Sequence, residues 1–329
     1  MWKVYFFIVL TFCHFYSFSQ EKFNTGECIR EFMHVLASDS LKGRANYTPE
    51  LFKSASYISS SFASDSLSMF PGADSYLLPF APGKRLKDKW KDSTGNYDPR
   101  HVLYNVVGMI KGKTIPQEVV IFSSHYDHMG MTGKKLKGIN IFNGANDNAS
   151  GTAAMMAIAR HYANSKTNER TLIFCAFAGE ELGLLGSSVF SGYVNPHQIV
   201  AMINLEMIGL HNTGGPNSFF ITGSEYSDLD EIIKNNLDST GTIMLEEPNP
   251  EMKLFQRSDN LPFAMKGIPA HTIMSSNDAE ECYHKTCDDV ERIDFAHMKK
   301  IVSAILIATK PIIDGLETPS RITKRIEPL

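Results

Sequence analysis

Short apolar runs separated by amphipathic stretches organise the chain from residue 104 onward. Tyr104–Ile110, Val119–Ser124, Thr171–Phe177, Ile199–Asn204, Ser218–Thr222 and Ile268–Met274 are rich in Val, Ile, Leu and Phe and end in Gly, Asn, Asp or Ser clusters, a pattern that predicts strands. Ala149–Asn164 and Asp228–Leu237 fit helices between them, and Asp294 to about Ile312 fits a long closing helix. Nearer the start, Glu27–Ala37 is helical in pattern. A second helix opens with Thr48 as N-cap and Pro49 at the first helical position. Residues 71–100, rich in Gly, Pro, Asp and Lys, predict a loop with little regular structure. Strands alternating with helices imply an α/β sandwich with a largely parallel sheet, in which sites collect at the carboxyl ends of strands.

The first residues stand apart from this pattern. Lys3, the apolar centre Val4–Phe12 and the exit Ser17, Ser19 and Gln20 predict a signal peptide over residues 1–19. The apolar run is shorter than the roughly 20 residues a spanning helix needs. The expectation is an exported, periplasmic or extracellular protein with no stable membrane insertion once the signal is removed. In such a compartment disulfides can form. Cys175 falls in an apolar strand and reads as core, whereas the spacing of Cys282 and Cys287 leaves pairing open. A formal net charge of -4 without a long basic run argues against a nucleic-acid partner.

The strand ends carry the candidate chemistry. Val119–Ser124 runs into 125-HYDHMG-130, and the loop before the next helix is 143-NGANDNASG-151. Thr171–Phe177 leads to Glu180-Glu181, Ile199–Asn204 to 204-NLEMIG-209, and the last strand to 280-EECYHKTCDD-289. Five segments thus deliver His, Asp, Glu, Glu and His to one sheet edge. Imidazole and carboxylate without thiolate suit zinc, with manganese or cobalt as alternatives. A pair of ions needs a carboxylate between them, and Asp147, flanked by small residues, is placed for it. Two adjacent glutamates become tolerable beside about four units of metal charge. Glu181 is then a ligand, and Glu180 is the base that takes a proton from the attacking water.

In order and spacing, "HYDHMG", "NGANDNASG", "FAGEELGLLGS", "NLEMIG" and "YHKTCDD" resemble the co-catalytic di-zinc aminopeptidases, a family that includes glutaminyl cyclases and transferrin-receptor-like peptidases. The resemblance runs from Leu36 to the closing helix. It implies one zinc-peptidase domain over residues 20–329, a three-layer sandwich whose mixed, largely parallel sheet has eight strands between helices. The interval from Arg44 to His125 is too short for an inserted protease-associated domain. The resemblance implies two zinc ions: His125 and Glu206 on one, Glu181 and His284 on the other, Asp147 bridging. It makes Glu180 the general base, has Asp127 hydrogen-bond His125, and gives Tyr283 a part in stabilising the tetrahedral intermediate. The peptide bond after Asp147 is often cis in this family. Two positions depart from its pattern: Glu206 stands where Asp is usual, and Asn260 replaces the His of a Ser-Asp-His segment.

The implied activity is removal of the amino-terminal residue from peptide substrates. The alternatives are a glutaminyl cyclase-like acyltransferase, a carboxypeptidase or dipeptidase on the same metal centre, and a non-enzymatic binding module. Against the cyclase, Trp2 and Trp90 lie in no motif; against the binding module, no ligand is lost. His128 reads as packing or as a support behind a ligand rather than a ligand, His271 as a satisfied core histidine and His161 as solvated; a pocket wall is the lesser alternative for His211, and Asp288 and Asp289 read as a solvated turn, with orienting His284 as the alternative for one of them. First-pocket preference and oligomeric state are not legible.

Overall fold

A computed structural model describes residues 24–327, apart from 85, 96, 137, 138, 212, 213 and 239. The predicted signal segment, residues 1–19, lies outside the described residues. The strands are β1 (Ser68–Met69), β2 (Leu77–Phe80), β3 (Leu103–Ile110), β4 (Ile115–His125), β5 (Gly130–Leu136) and β6 (Ile139–Phe142). They continue with β7 (Arg170–Phe177), β8 (Ile199–Leu205), β9 (Ser218–Ile221), β10 (Ile243–Leu245) and β11 (Ala270–Met274). Nine strands form one sheet in the order β1-β3-β7-β4-β8-β11-β9-β10, with β2 also on β3, while β5 and β6 form a separate hairpin. The four central strands β7, β4, β8 and β11 are mutually parallel; β3 joins β7 and β9 joins β11 antiparallel. The sheet is mixed, with nine strands rather than the eight the resemblance implies.

Alternation along the central strands makes the three layers. Leu172, Phe174 and Ala176 of β7 pack with Val120 and Phe122 of β4 under α1 (Thr25–Leu36), α2 (Pro49–Ser64), α3 (Gly151–Ser165) and, closing the chain's helical face, Phe295–Ala308. Ile173, Cys175 and Phe177 face the other way, onto Phe190 of the helix Leu185–Ser191 and Phe263 of the short helix Leu261–Ala264. Both faces of the central strands are therefore dry, which is why their sequences read as continuous apolar runs. Among the described residues no helix is long and apolar enough to cross a membrane.

Two expectations need correction. The stretch 71–100 contains β2, whose Leu77–Phe80 pairs with Leu103–Val106. Its Pro79 reads as a breaker but sits on an outer strand, where a missing N–H is tolerated. The closing helix ends at Ala308, and a separate turn, Lys310–Ile313, follows. Pro311 has no N–H to continue the ladder.

Candidate metal centre

Strand ends and the loops beyond them carry the candidate residues. His125 is the last residue of β4, Glu206 follows β8 directly, and Glu180-Glu181 follow β7 after a turn at Gly179 (φ 78°). Tyr283 and His284 lie beyond β11 in a loop closed by the Cys282–Cys287 disulfide. His284 adopts a left-handed φ of 52°, uncommon for a bulky side chain, and the disulfide brackets it. Asp147 comes from the turn Ala145–Ser150 that enters α3, and its peptide bond to Asn148 is cis.

The Asp147 carboxylate lies between two groups of side chains. Its Oδ1 is 3.4 Å from His125 Nε2, and its Oδ2 is 3.1 Å from His284 Nε2 and 3.7 Å from His128 Nδ1. Glu181 completes the second group, with Oε1 2.8 Å from His128 Nδ1 and Oε2 3.4 Å from His284 Nε2. Ligand atoms of His128, Asp147, Glu181 and His284 all lie within 4.8 Å of one another, so these four could hold an ion. His128 thus supports the candidate ligand Glu181 directly, and its place in this group of four also makes it a candidate donor. On the His125 side, Glu180 Oε2 lies 4.0 Å from His125 Nε2. The Glu206 carboxylate accepts hydrogen bonds from Ser258 Oγ and, at 3.4 Å, from Asn204 Nδ2. Asp147, Glu180, Glu181, Glu206, Tyr283 and His284 all line one cavity of about 220 Å³, and the Tyr283 ring stacks on His284 at 3.9 Å.

The donor set fits a divalent metal on two observations. His125 is buried, its Nδ1 lies 3.2 Å from the Asp127 carbonyl oxygen, and its Nε2 finds no hydrogen-bond partner. With Nδ1–H donating to that carbonyl, a lone pair on Nε2 faces Asp147. The acids also crowd, with imidazoles as the positive groups beside them. Burial, opposed by His125 and reinforced by Asp147 and Asp259, pushes Glu206 up to about 8. Burial also drives Glu180 well above the carboxylate range. Asp147 and Glu181 go the other way, because neighbouring imidazoles outweigh the effect of burial; Glu181 is held down at about 2. Hydrogen bonds to Asp147 and Glu181 raise His284 to about 10. In the metal-free chain, protons on imidazoles supply the positive charge that such an acidic pocket requires.

Several supporting roles differ from the sequence reading or escaped it. Asp127 does not hydrogen-bond His125 through its carboxylate, which stands 3.7 Å from Nδ1. That carboxylate instead accepts from the backbone N–H of Glu180 (3.2 Å) and Glu181 (3.3 Å) and from Asn46 Nδ2 (2.6 Å), seating the glutamate turn. Asp288 is buried rather than solvated, and its two oxygens accept from the N–H of Asn146 (2.8 Å) and Asp147 (3.0 Å). Asn146 Oδ1 accepts from Gly209 N and Asn148 Oδ1 from Met207 N, stitching the Asp147 turn to the end of β8. Arg44, fully buried, donates to the carbonyls of Leu36, Tyr126, Asn143 and Gly144 beneath the site. Gly144 has no substitute: a Cβ there would stand 2.2 Å from the Asp147 carbonyl oxygen and 2.5 Å from His128 Cδ2. Asn260 is buried and bonds to Phe255, Ala270 and Thr272, not to the cavity. His271 is a satisfied core histidine, and His161 is half-buried against the Tyr162 ring rather than solvated. His211 is exposed beside His297 and is no part of the cavity wall.

Residues 105–309 match the family model of peptidase family M28. The chain belongs to this family. It is 25% identical to Aminopeptidase YwaD of Bacillus subtilis (strain 168) over 241 residues, 68% of this chain and 48% of that protein. It is 29% identical to a probable leucine aminopeptidase of Trichophyton verrucosum (strain HKI 0517) over 214 residues, 61% of this chain and 55% of that one. This M28 chain therefore spans about half the length of the curated relatives it matches. Among solved structures, BSAP, a zinc aminopeptidase from Bacillus subtilis, superposes with a TM-score of 0.67 at 17% identity, covering 89% of this chain and 95% of that one. Porphyromonas gingivalis glutaminyl cyclase does so with a TM-score of 0.65 at 15% identity, covering 88% and 99%. At these identities the likeness establishes the shared fold.

Proposed function

We propose that the chain is an exported, zinc-dependent exopeptidase of the aminopeptidase type. The observation that carries this reading is the division of Asp147 between His125 and His284, with Glu180 on the same cavity. A carboxylate shared between two imidazoles, each with a further carboxylate at hand, is the donor arrangement for two ions. His125 and Glu206 would hold one and Glu181 and His284 the other, with zinc the best match to nitrogen and oxygen donors and manganese or cobalt possible. In that position the ions would supply Lewis acidity toward the scissile carbonyl and would lower the pKa of water toward neutrality.

The remaining steps belong to the chain's own groups. Glu180 takes a proton from the attacking water as the water oxygen bonds to the carbonyl carbon. The C–N bond then breaks, and the departing amine receives the proton Glu180 holds. Burial keeps the Tyr283 hydroxyl protonated throughout the working pH range, so it can donate to the developing oxyanion. The Cys282–Cys287 disulfide around the His284 loop supports export to an oxidising compartment. Against the cyclase alternative, no tryptophan lines the cavity among the described residues: Trp90 packs beside His101 and Lys87.

The test is cleavage of a panel of aminoacyl p-nitroanilides by the mature protein, with chelator and with added zinc. Release that chelator abolishes and zinc restores is the expected result. Metal-loaded protein that cleaves no member of the panel would overturn the aminopeptidase reading.

A further inference from the structure

The wall of the cavity beyond Tyr283 is built from Leu254, Met274, Arg257 and Asp278. Leu254 and Met274 are buried and belong to one apolar cluster with Met207 and Phe220. Arg257 differs in kind. Its side chain is 39% exposed, and among the described residues Asp278 is the acceptor its guanidinium reaches. A guanidinium presents five N–H donors in a planar fork and accepts nothing. Asp278 takes one edge and leaves donors available to a ligand in the cavity. The backbone under Arg257 is fixed relative to the acidic cluster: its N–H donates to Leu254 O at 3.0 Å, and the next residue, Ser258, donates to Glu206.

Charge favours an anion at this place. With two divalent ions bound, their charge would offset that of Asp147, Glu180, Glu181 and Glu206. Arg257 and Asp278 cancel each other. Asp278 is the more covered of the two, at 18% against 39%, so the accessible charge on this wall is positive. Arginine is also the side chain whose fork matches a carboxylate in two-point contact.

We propose that Arg257 is a carboxylate-recognising subsite of this cavity, held in position by Asp278, and that it selects peptides presenting an anionic group there. The inference rests on the peptide-hydrolysis reading above. The carboxylate has two possible sources: an acidic side chain on the amino-terminal residue, or the terminal carboxylate of a short peptide.

The test uses zinc-loaded wild type, Arg257→Gln and Arg257→Lys. One arm compares glutamyl with leucyl p-nitroanilide; the other compares leucyl-glycine with leucyl-glycinamide. In wild type the anionic member of the responding pair has the lower KM. In Arg257→Gln the anionic-to-neutral ratio of kcat/KM falls ten- to hundredfold through KM, the size expected for a lost charge-assisted contact, and Arg257→Lys restores part of it. Whichever arm responds identifies the source of the carboxylate. Ratios that stay within twofold of wild type in both arms would overturn the subsite while leaving the aminopeptidase reading intact. Should no substrate turn over, calorimetric binding of glutamate and of leucyl-glycine to wild type and Arg257→Gln still decides it. Equal affinities in the two proteins refute the subsite, and a tenfold loss in the variant supports it even as the hydrolysis reading fails.

Discussion

Asp288→Asn is the most telling perturbation of the metal centre, because Asp288 is no ligand and yet seats one. Its carboxylate accepts from Asn146 N at 2.8 Å and Asp147 N at 3.0 Å inside a dry interior. An asparagine keeps one acceptor and turns an NH₂ toward the other N–H. One charge-assisted bond is lost and one buried donor faces a donor, at a cost of about 2 kcal/mol or more. Where that cost appears depends on whether the Asp147 turn is ordered before metal binds. Expressed wholly in binding, 2 kcal/mol is about a thirtyfold weaker zinc affinity. Expressed in the fold, it is a drop of about 3 °C in the melting temperature of the metal-free chain. Zinc competition against a chromophoric chelator measures the first, and a thermal scan in chelator measures the second. If Asp288→Asn matches wild type in both, Asp288 does not hold the turn and the account of the site is wrong.

Other outcomes follow from the same geometry. Glu180→Gln should retain its metal, measured by elemental analysis, while kcat falls at least a hundredfold; full activity would remove Glu180 from proton transfer. Burial pushes His271 down to about 4, with its ring bonded to Thr222 O and Ser227 Oγ. Its folded pKa lies below the unfolded value near 6.5, so the stability it contributes above that pH is lost as pH falls toward 4, about 3 kcal/mol in all. The urea midpoint in chelator should therefore fall further between pH 7.5 and pH 4.5 for wild type than for His271→Gln, and equal falls would refute this. Reducing Cys282–Cys287, or replacing both with Ser, should release about 2 kcal/mol of loop-closure entropy to the unfolded chain and weaken zinc binding through the His284 loop. Unchanged zinc affinity would show that the loop is held by other contacts.

Much of the layout is written locally. The buried parallel strands announce themselves as apolar runs because both faces are dry, and each ends in the polar group it delivers. Glu181 and Glu206 stood out for that reason, whereas the Tyr283 role came only from the resemblance to a family and Asp147 from the small residues around it. The outer strand Leu77–Phe80 was hidden by Pro79 and a polar context, since an edge needs neither alternation nor a full set of donors. His128 was ambiguous because adjacency to His125 in sequence does not say which way an imidazole turns after a strand ends.

What the sequence by itself determined was the alternation of strand and helix, the carboxyl-end placement of the acids and histidines, and the family to which those segments correspond. The tertiary structure decided which of them meet. Only folding shows that Asp288, more than a hundred residues downstream, lies under the Asp147 turn, separated by 141 positions from its partner. The same holds for Asp127 beneath Glu180 and Glu181 and for Arg257 at the cavity wall. The physical reason is that a carboxylate looks the same in a string whether water or a backbone N–H satisfies it, and a guanidinium whether water or a backbone carbonyl does. Its role is fixed by the partner that excludes water, and that partner is supplied by a distant segment.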